Sequence, residues 1–212
     1  MMTRILAANI PAVTVFDDCE GLNLVSVNIN NIGLGYEVVR RFLRLGHRRI
    51  AVLVPRIRNP YFHDRAAGAR LAMAGAQPGE TSLDVFQFPL CRPVPSRVVE
   101  KIRDPLDRPT ALFVTSAMLF DSLWPLLRRL RLRVPHDISI ITTARTTYRP
   151  ACKRSFDTMK VDFPGIGRMA LAQLIALWEG TLERRCHVLD LPYLRTGSVQ
   201  ALRIPRTRTA SR

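Results

Sequence analysis

The sequence predicts an α/β fold, a Rossmann-like parallel sheet flanked by helices. Short β-rich runs alternate with helix-length amphipathic segments along the 212 residues, which is the pattern of βαβ units wound around a parallel sheet. Most of the runs are continuous Val, Ile, Leu and Phe stretches, as expected where helices cover both faces of each strand. Composition agrees: 47% apolar and 23% charged residues, with 11 Gly and 15 Pro, suit one globular domain or two small ones. They exclude a disordered, fibrous or disulfide-stapled chain.

The expected strands are Ala12 to Val15, Leu24 to Ile29, Ile50 to Val54, Leu83 to Phe88, Ala111 to Thr115, Ile138 to Thr142 and His187 to Leu191. A first helix covers Leu34 to Leu45, where Leu34, Val38, Phe42 and Leu45 recur at helical steps and Arg40, Arg41 and Arg44 take the other side. Gly46 closes it as a C′ glycine. A second begins near Asp64 and ends at Gly75, and a third begins near Ser96, whose hydroxyl can cap it with Glu100 one turn on. The fourth, Met118 to Arg131, carries Pro125 in its interior, where the lost ladder bond costs about 3 kcal/mol and predicts a kink or a late start. In the last helix Pro164 suits the first turn, Ile166, Met169, Ala170, Leu174, Leu177 and Trp178 form one stripe, and Gly180 ends it. Trp124 and Trp178 read as core or interface. Beyond Leu202 the arginine-rich tail is expected to be disordered.

The charge is unusual: 32 Lys and Arg against 17 Asp and Glu give +15, and the isoelectric point is near 11.1. A nucleic-acid or anionic partner is therefore one reading. Only Lys101, Lys153 and Lys160 are lysines, so the skew to arginine fits phosphate-gripping forks or a GC-rich genome, and the arginines are spread along the chain. Cys19, Cys91, Cys152 and Cys186 show no metal spacing and read as reduced thiols. No apolar run approaches the roughly 20 residues of a membrane helix, and Met1 to Val15 makes a poor signal peptide. A cytoplasmic chain without metal or cofactor is expected. No GxSxG, GxxxxGK[ST] or HExxH motif occurs, and Gly33-Leu34-Gly35 lacks the third glycine of a dinucleotide loop, leaving only a weak anion site at a helix start. His47, His63, His136 and His187 fall in separate segments and suit surface or turn roles better than catalysis. Enzyme activity is not expected.

Ordered blocks then point to a family. Ile10 to Val15, Val25 to Asn31, and Leu43-Arg44-Leu45-Gly46-His47-Arg48-Arg49-Ile50-Ala51 resemble three consecutive segments of LacI/GalR transcription regulators, the last being the most specific. Arg65-Ala66-Ala67-Gly68, Arg108-Pro109-Thr110-Ala111 and Val134-Pro135-His136-Asp137-Ile138-Ser139 follow in the family's order. Thr158 to Gly167 and Leu191 to Ser198 resemble its late crossover and closing strands. The resemblance spans about residues 8 to 201.

It implies two Rossmann-like lobes with a small-molecule effector bound between them, and a homodimer. DNA contact is implied only through a helix-turn-helix headpiece that this sequence does not contain. It also implies a chain that enters the fold part-way. Residues 1–30 are then the remnant of the N-terminal lobe and a crossover. Residues 31–160, with strands near 187 to 200, are a nearly whole C-terminal lobe carrying a six-stranded or similar sheet. Residues 161–201 are the helix returning to the first lobe and the closing strands, and 202–212 are the tail. The family's effector-contacting arginine matches Arg65, which otherwise reads as an exposed helix-start residue. Asn30 and Asn31 stand for an Asp-Asn pair, Ser116 and Ala117 for an Asn-Asp pair, and Ala144, followed by Arg145, for the acidic residue that grips effector hydroxyls. Phe88 is placed to stack on a ligand or to lie in the core.

Carboxylates suit sugars because each accepts two hydroxyl hydrogen bonds. With two lost, and with Arg65 kept and Arg145 gained, the resemblance favours an anionic effector, such as a sugar phosphate or sugar acid, or none. The expected function is the effector-sensing and dimerising portion of a LacI-type regulator. The alternatives are a non-specific nucleic-acid binder, motivated by the charge alone, and a degenerate regulator remnant without ligand. A periplasmic solute-binding protein of this fold would need an export signal.

Overall fold

A computed structural model describes residues 2–8, 10–16, 24–76, 81–90, 93–145 and 154–202. The element order is α1 (Met2–Ala7), β1 (Val13–Val15), β2 (Val25–Ile29), α2 (Asn31–Arg44), β3 (Arg49–Pro55), α3 (Pro60–Ala74), β4 (Ser82–Phe88), α4 (Ser96–Arg103), β5 (Ala111–Val114), α5 (Ala117–Arg129), β6 (Ser139–Arg145), β7 (Asp157–Val161), α6 (Phe163–Glu179), β8 (Cys186–Leu189) and β9 (Tyr193–Leu194). The arrangement is the parallel sheet flanked by helices that the sequence predicts.

The strands form a six-stranded sheet in the order β4-β3-β5-β6-β7-β9 and a three-stranded sheet in the order β1-β2-β8. In the larger sheet every pairing is parallel except β7 with β9. Alternate residues of its central strands enter two separate cores. Ile50, Val52 and Val54 of β3 and Phe113 of β5 pack among residues of α2 and α3, whereas Leu53 of β3 and Leu112 of β5 pack among residues of α4 and α5. That period-two division is why these strands read as unbroken apolar runs.

α2 and α3 start on side-chain caps: Asn30 Oδ1 accepts from the amide of Gly33 at 2.8 Å, and Asn59 Oδ1 from that of Tyr61 at 3.2 Å. With Pro60 next in the chain, α3 begins one turn earlier than Asp64. Ser96 does not cap α4; the preceding Pro95 is the cap residue, its carbonyl closes the first turn, and no side chain bonds the helix start. α5 starts without delay on Ser116 and runs on through Pro125. Gly46 and Gly180 take positive φ, 87° and 72°, where they end α2 and α6. Two strands are absent from the sequence expectation, β7 and β9, and α1 is likewise new.

The chain passes between the sheets after β2, after β7 and after β8. The strand at His187, expected with the larger lobe, pairs with β2, Val27 lying opposite His187. The reason is its predecessor: α6 packs on β1 and β2, so the chain leaving α6 is delivered to the small sheet. Of the stripe on α6, Ile166 is buried, Met169, Ala170, Leu174 and Leu177 are half-buried and Trp178 is 77% exposed; Leu171 and Ile175, outside it, are 58% and 49% exposed. Trp124 is half-buried, its ring 5.4 Å from that of Phe156. No described helix is long and apolar enough to cross a membrane. The tail at 203–212 and Cys19, Cys91 and Cys152 lie outside the described residues.

Candidate functional site

Strand order reverses between β3 and β5: the chain goes from β3 out to β4, then returns to pair β5 on the other side of β3. Ligands of open α/β sheets bind at such a switch, outside the carboxyl ends of the strands. There a cavity of about 500 Å³ opens between the two sheets, within the range of small-molecule sites, about 300 to 1,000 Å³. One wall comes from the larger sheet, with Arg65, Thr115, Ser116, Thr143, Ala144 and Arg145; Phe16, Ile29 and Phe163 close the other.

Arg65 is the centre of that wall. Tyr61 and Phe62, four and three residues earlier on α3, share its helix face, and the guanidinium carbon lies 5.2 and 5.3 Å from their ring centroids. Nε donates to Asn31 Oδ1 at 2.9 Å and Nη1 to the carbonyl of Thr115 at 2.7 Å. The side chain thus joins the start of α2 to the end of β5, and the residue is only 5% exposed. Burial draws the pKa down to about 10 against the smaller opposing influences of Tyr61 and Asp64, so the group stays charged at neutral pH. Both hydrogen-bond acceptors are neutral. A desolvated cation bonded only to neutral oxygens attracts an anion more strongly than a solvated one does.

Arg65, Ser116, Ala144 and Arg145, read from three places in the sequence, line one cavity. Arg65 is not the exposed helix-start residue of the alternative reading. Ser116 also caps α5, Oγ accepting from the Met118 amide at 3.3 Å. Ala144 is a buried wall and Arg145 an exposed cation at the end of β6. Two expected residues go elsewhere. Phe88 is 1% exposed and packs in the core between the larger sheet and α4 and α5, because its position at the end of β4 turns its ring to that face. Asn30 caps α2 and donates from Nδ2 to Asp190 Oδ1 at 2.9 Å; it borders an adjoining cavity that shares Phe16, Ile29, Asn31 and Tyr61 with the first.

Sequence reasoning named Asn31 with Asn30 at this pocket but missed Tyr61, Phe62, Asp121 and Thr143 as lining residues. The helical spacing of Tyr61 and Phe62 to Arg65 was a usable signal; nothing comparable marks Thr143. The glycines at the start of α2 form no phosphate cradle, since the Gly33 amide is taken by Asn30 and Gly35 lies against the backbone of α3. His47 lies in the turn segment between α2 and β3, one of its two expected roles, but is not at the surface: it is 1% exposed. Its Nε2 lies 3.0 Å from the carbonyl of Gln200 and its Nδ1 3.0 Å from Thr110 Oγ1. Among the described residues no three His, Cys, Asp or Glu side chains converge as metal ligands.

Residues 39–198 match the family model of the periplasmic binding protein-like domain. The chain is 24% identical over 197 residues to the HTH-type transcriptional repressor CytR of Escherichia coli K12, a match covering 91% of this chain and 57% of the repressor. It thus spans little more than half the length of the curated relatives it matches. Among solved structures, a LacI family transcriptional regulator from Enterococcus faecium with bound ribose superposes with a TM-score of 0.76 at 19% identity, covering 95% of this chain and 74% of that one. The Escherichia coli transcriptional repressor ascG gives 0.74 at 18% identity, covering 94% and 73%. At these identities the likeness to solved structures is one of fold.

Proposed function

The chain belongs to the periplasmic binding protein-like domain family, in the form found in LacI-type transcription regulators, and from that premise we propose that it binds a small anionic metabolite and reports its presence to a transcription switch. The metabolite is a sugar phosphate or sugar acid, and it occupies the cavity at Arg65. The observation that carries this reading is the desolvated Arg65 guanidinium, bonded to the neutral acceptors Asn31 and Thr115 at a cavity whose wall also contains Arg145. Guanidinium forks match phosphate and carboxylate oxygens in pairs. Ala144 offers no carboxylate to a neutral sugar's hydroxyls, and the two arginines of the wall outnumber its one carboxylate, Asp121. The ribose in the Enterococcus regulator supports a sugar-like scaffold; the two arginines add the charge.

In this reading the protein acts in the cytoplasm, performs no catalysis, and leaves operator contact to a separate helix-turn-helix headpiece. The chain works as a homodimer, supported by the exposed stripe of Leu171, Ile175 and Trp178 on α6; sedimentation of the wild type and of Trp178→Asp tests the assembly.

The site is tested by melting the protein against ribose, ribose 5-phosphate, gluconate and inorganic phosphate. An anion raises the Tm and ribose does not, and Arg65→Gln removes the rise. If no anion shifts the wild type, or if Arg65→Gln responds as the wild type does, the sensing role fails and the degenerate-remnant reading takes its place. The +15 charge supports a second reading, non-specific nucleic-acid binding that weakens steeply with salt; absence of any gel shift at low salt excludes it.

A further inference from the structure

Arginines that are far apart in the sequence meet at one end of the larger sheet. β3, β5 and β6 are parallel neighbours whose first residues stand level, Ile50 opposite Ala111 and Ala111 opposite Ser139. The connections leading into them therefore finish side by side, about 10 Å from the first to the third. They bring Arg48 and Arg49 to the start of β3, Arg108 to that of β5, and Arg131 and Arg133 to that of β6. Arg49 Nε donates to the carbonyl of Arg108 at 3.0 Å, and Arg133 and Arg108 both hold the carboxyl of Asp137 below its usual value, so the three connections form one surface. Its carboxylates are Asp104, Asp107 and Asp137; Lys101 pairs with Asp107 and Arg133 with Asp137. Arg48, Arg49 and Arg131 are exposed and make no ion pair among the described residues. Leu202 donates to the carbonyl of Leu45 at 2.7 Å, so the chain also passes into residues 203–212, with four more arginines, from this end. The cavity at Arg65 opens at the opposite ends of the strands.

Arg131 is exceptional among them. α2 and α5 end in the same motif: Gly46 and Arg131 each follow the cap residue with positive φ, 87° and 56°, and the next amide reaches back five residues, from His47 to Phe42 and from Leu132 to Leu127, both at 3.0 Å. A Cβ is costly in this left-handed position, and glycine is its usual occupant. A GC-rich genome does not account for arginine here, because glycine codons are as rich in G and C. Nor does the helix end need the charge, since Arg128 and Arg129 already stand in its last turn.

We propose that this end of the larger sheet, around Arg48, Arg49 and Arg131, is a docking surface for the phosphate backbone of a nucleic acid. This rests on the second reading above, nucleic-acid binding, and gives it a place on the molecule; it is separate from the anion site at Arg65. Guanidinium forks match phosphate oxygens. Arginines on three connections cannot all meet one small anion, whereas a duplex, with one charge per about 1.7 Å of its axis, meets them together. Contacts to phosphate alone carry no sequence information, so the binding is independent of base sequence. An arginine held where glycine would be more stable is the trade of stability for a contact outside the fold.

The experiment measures binding of the full chain to a short DNA duplex of arbitrary sequence, by fluorescence anisotropy across a salt series. It compares wild type, Arg131→Gly, the pair Arg48→Ser with Arg131→Gly, and the pair Arg56→Ser with Arg58→Ser. The last pair removes the same charge just past the other end of β3, where both arginines are exposed. The expected result is that Arg131→Gly raises the Tm by about 3 °C and lowers the salt slope of binding by about one. The first pair lowers the slope by about two and the low-salt affinity at least about tenfold. The second pair leaves the slope unchanged and the affinity within about twofold. If the two pairs weaken binding equally, it follows net charge: the second reading stands and the docking surface is overturned. A lower Tm for Arg131→Gly overturns the surface as well, because the side chain then serves the fold. If the wild type holds no duplex at low salt, or binds phosphatidylglycerol vesicles in its place, the second reading and the surface fall together.

Discussion

Gly35 of α2 lies so close to the carbonyl oxygen of Arg65 in α3 that a Cβ at position 35 would overlap it. The relation is mutual along the crossing, since a Cβ on Gly68 of α3 would overlap the carbonyl of Ile32 in α2. Two backbones therefore meet without side chains between them, and this contact sets where α3 presents Arg65 to the cavity. Gly35→Ala and Gly68→Ala must each push the helices apart. Overpacking of this kind costs about 1–3 kcal/mol and occasionally more, and because both atoms met are backbone, the expected loss is about 3 kcal/mol each. Denaturant unfolding measures it; a loss below about 1 kcal/mol for both variants would show that the helices are free to separate. Anion affinity should fall together with stability in these variants, as Arg65 is carried away from Asn31 and Thr115.

Ala144 shares the cavity wall with Arg65 and is buried. Ala144→Asp places a carboxylate where Arg65 has only neutral hydrogen-bond partners. The new charge competes with an anionic ligand for the guanidinium and supplies acceptors for neutral hydroxyls. Binding of anionic probes is expected to drop at least about tenfold, the equivalent of about 1.4 kcal/mol, while ribose begins to raise the Tm. Calorimetric titration of both ligand classes decides it, and retention of the wild-type anion affinity would mean that the anion does not approach Arg65.

The parts of this molecule that were legible in the sequence are those whose side chains are sorted by water. β3 and β5 are buried on both faces, so Ile50 to Val54 and Ala111 to Val114 read as strands to within a residue or two. β7 is not of that kind: in Asp157–Val161 only alternate residues are buried, and a buried aspartate and a lysine interrupt the apolar pattern. Its pairing with β6 and β9, distant in sequence, defines it as a strand. Ser96 misled because a serine at a helix start is a cap by statistics, whereas Pro95 fixes the backbone there first. The cavity was legible where a motif carried it, at Arg65, at Ser116 after β5 and at the end of β6. It was not legible at Thr143, which reaches the cavity wall only through the pairing of its strand with β7. Asn30 and Asn31 show the limit of resolution: adjacent and identical, one caps a helix and the other holds Arg65.

Asp157 holds the segment from Tyr193 to Ser198 to the larger sheet. Its Oδ1 accepts the amides of Thr196, Gly197 and Ser198 at 3.0, 2.7 and 2.8 Å, and its Oδ2 accepts the Tyr193 hydroxyl. Burial pushes the carboxyl up, and these donors, Tyr193 foremost, outweigh it and hold the pKa below the usual carboxylate value. Asp157→Ala leaves three consecutive amides without their acceptor, and the expected loss is about 3–5 kcal/mol. Hydrogen exchange is the informative readout, because the amides of 196 to 198 should lose protection before β3 and β5 do. If their protection is unchanged, the carboxylate is not what fixes the strand.

His47 gives the fold an acid limit. Its ring is buried, and desolvation lowers its pKa below 6.5, a bond to the Gln200 carbonyl only partly opposing this. The neutral ring donates from Nε2 to that carbonyl and accepts at Nδ1 from Thr110. In the unfolded chain the same side chain titrates near about 6.5. A group whose folded pKa lies below its unfolded one takes up its proton preferentially in the unfolded state, so its contribution to stability is complete above about pH 6.5 and is lost as pH falls from there through the folded value. Asp157, whose pKa is held below the usual carboxylate value, weakens the fold only at lower pH, where carboxylates protonate. Unfolding free energy measured between pH 8 and 5 should therefore decline below about 6.5 in the wild type. In His47→Gln, which keeps an amide donor for Gln200 and does not titrate, the curve should be flatter across that interval, even though the variant is less stable at pH 8. Equal slopes for the two proteins would assign the decline to other groups.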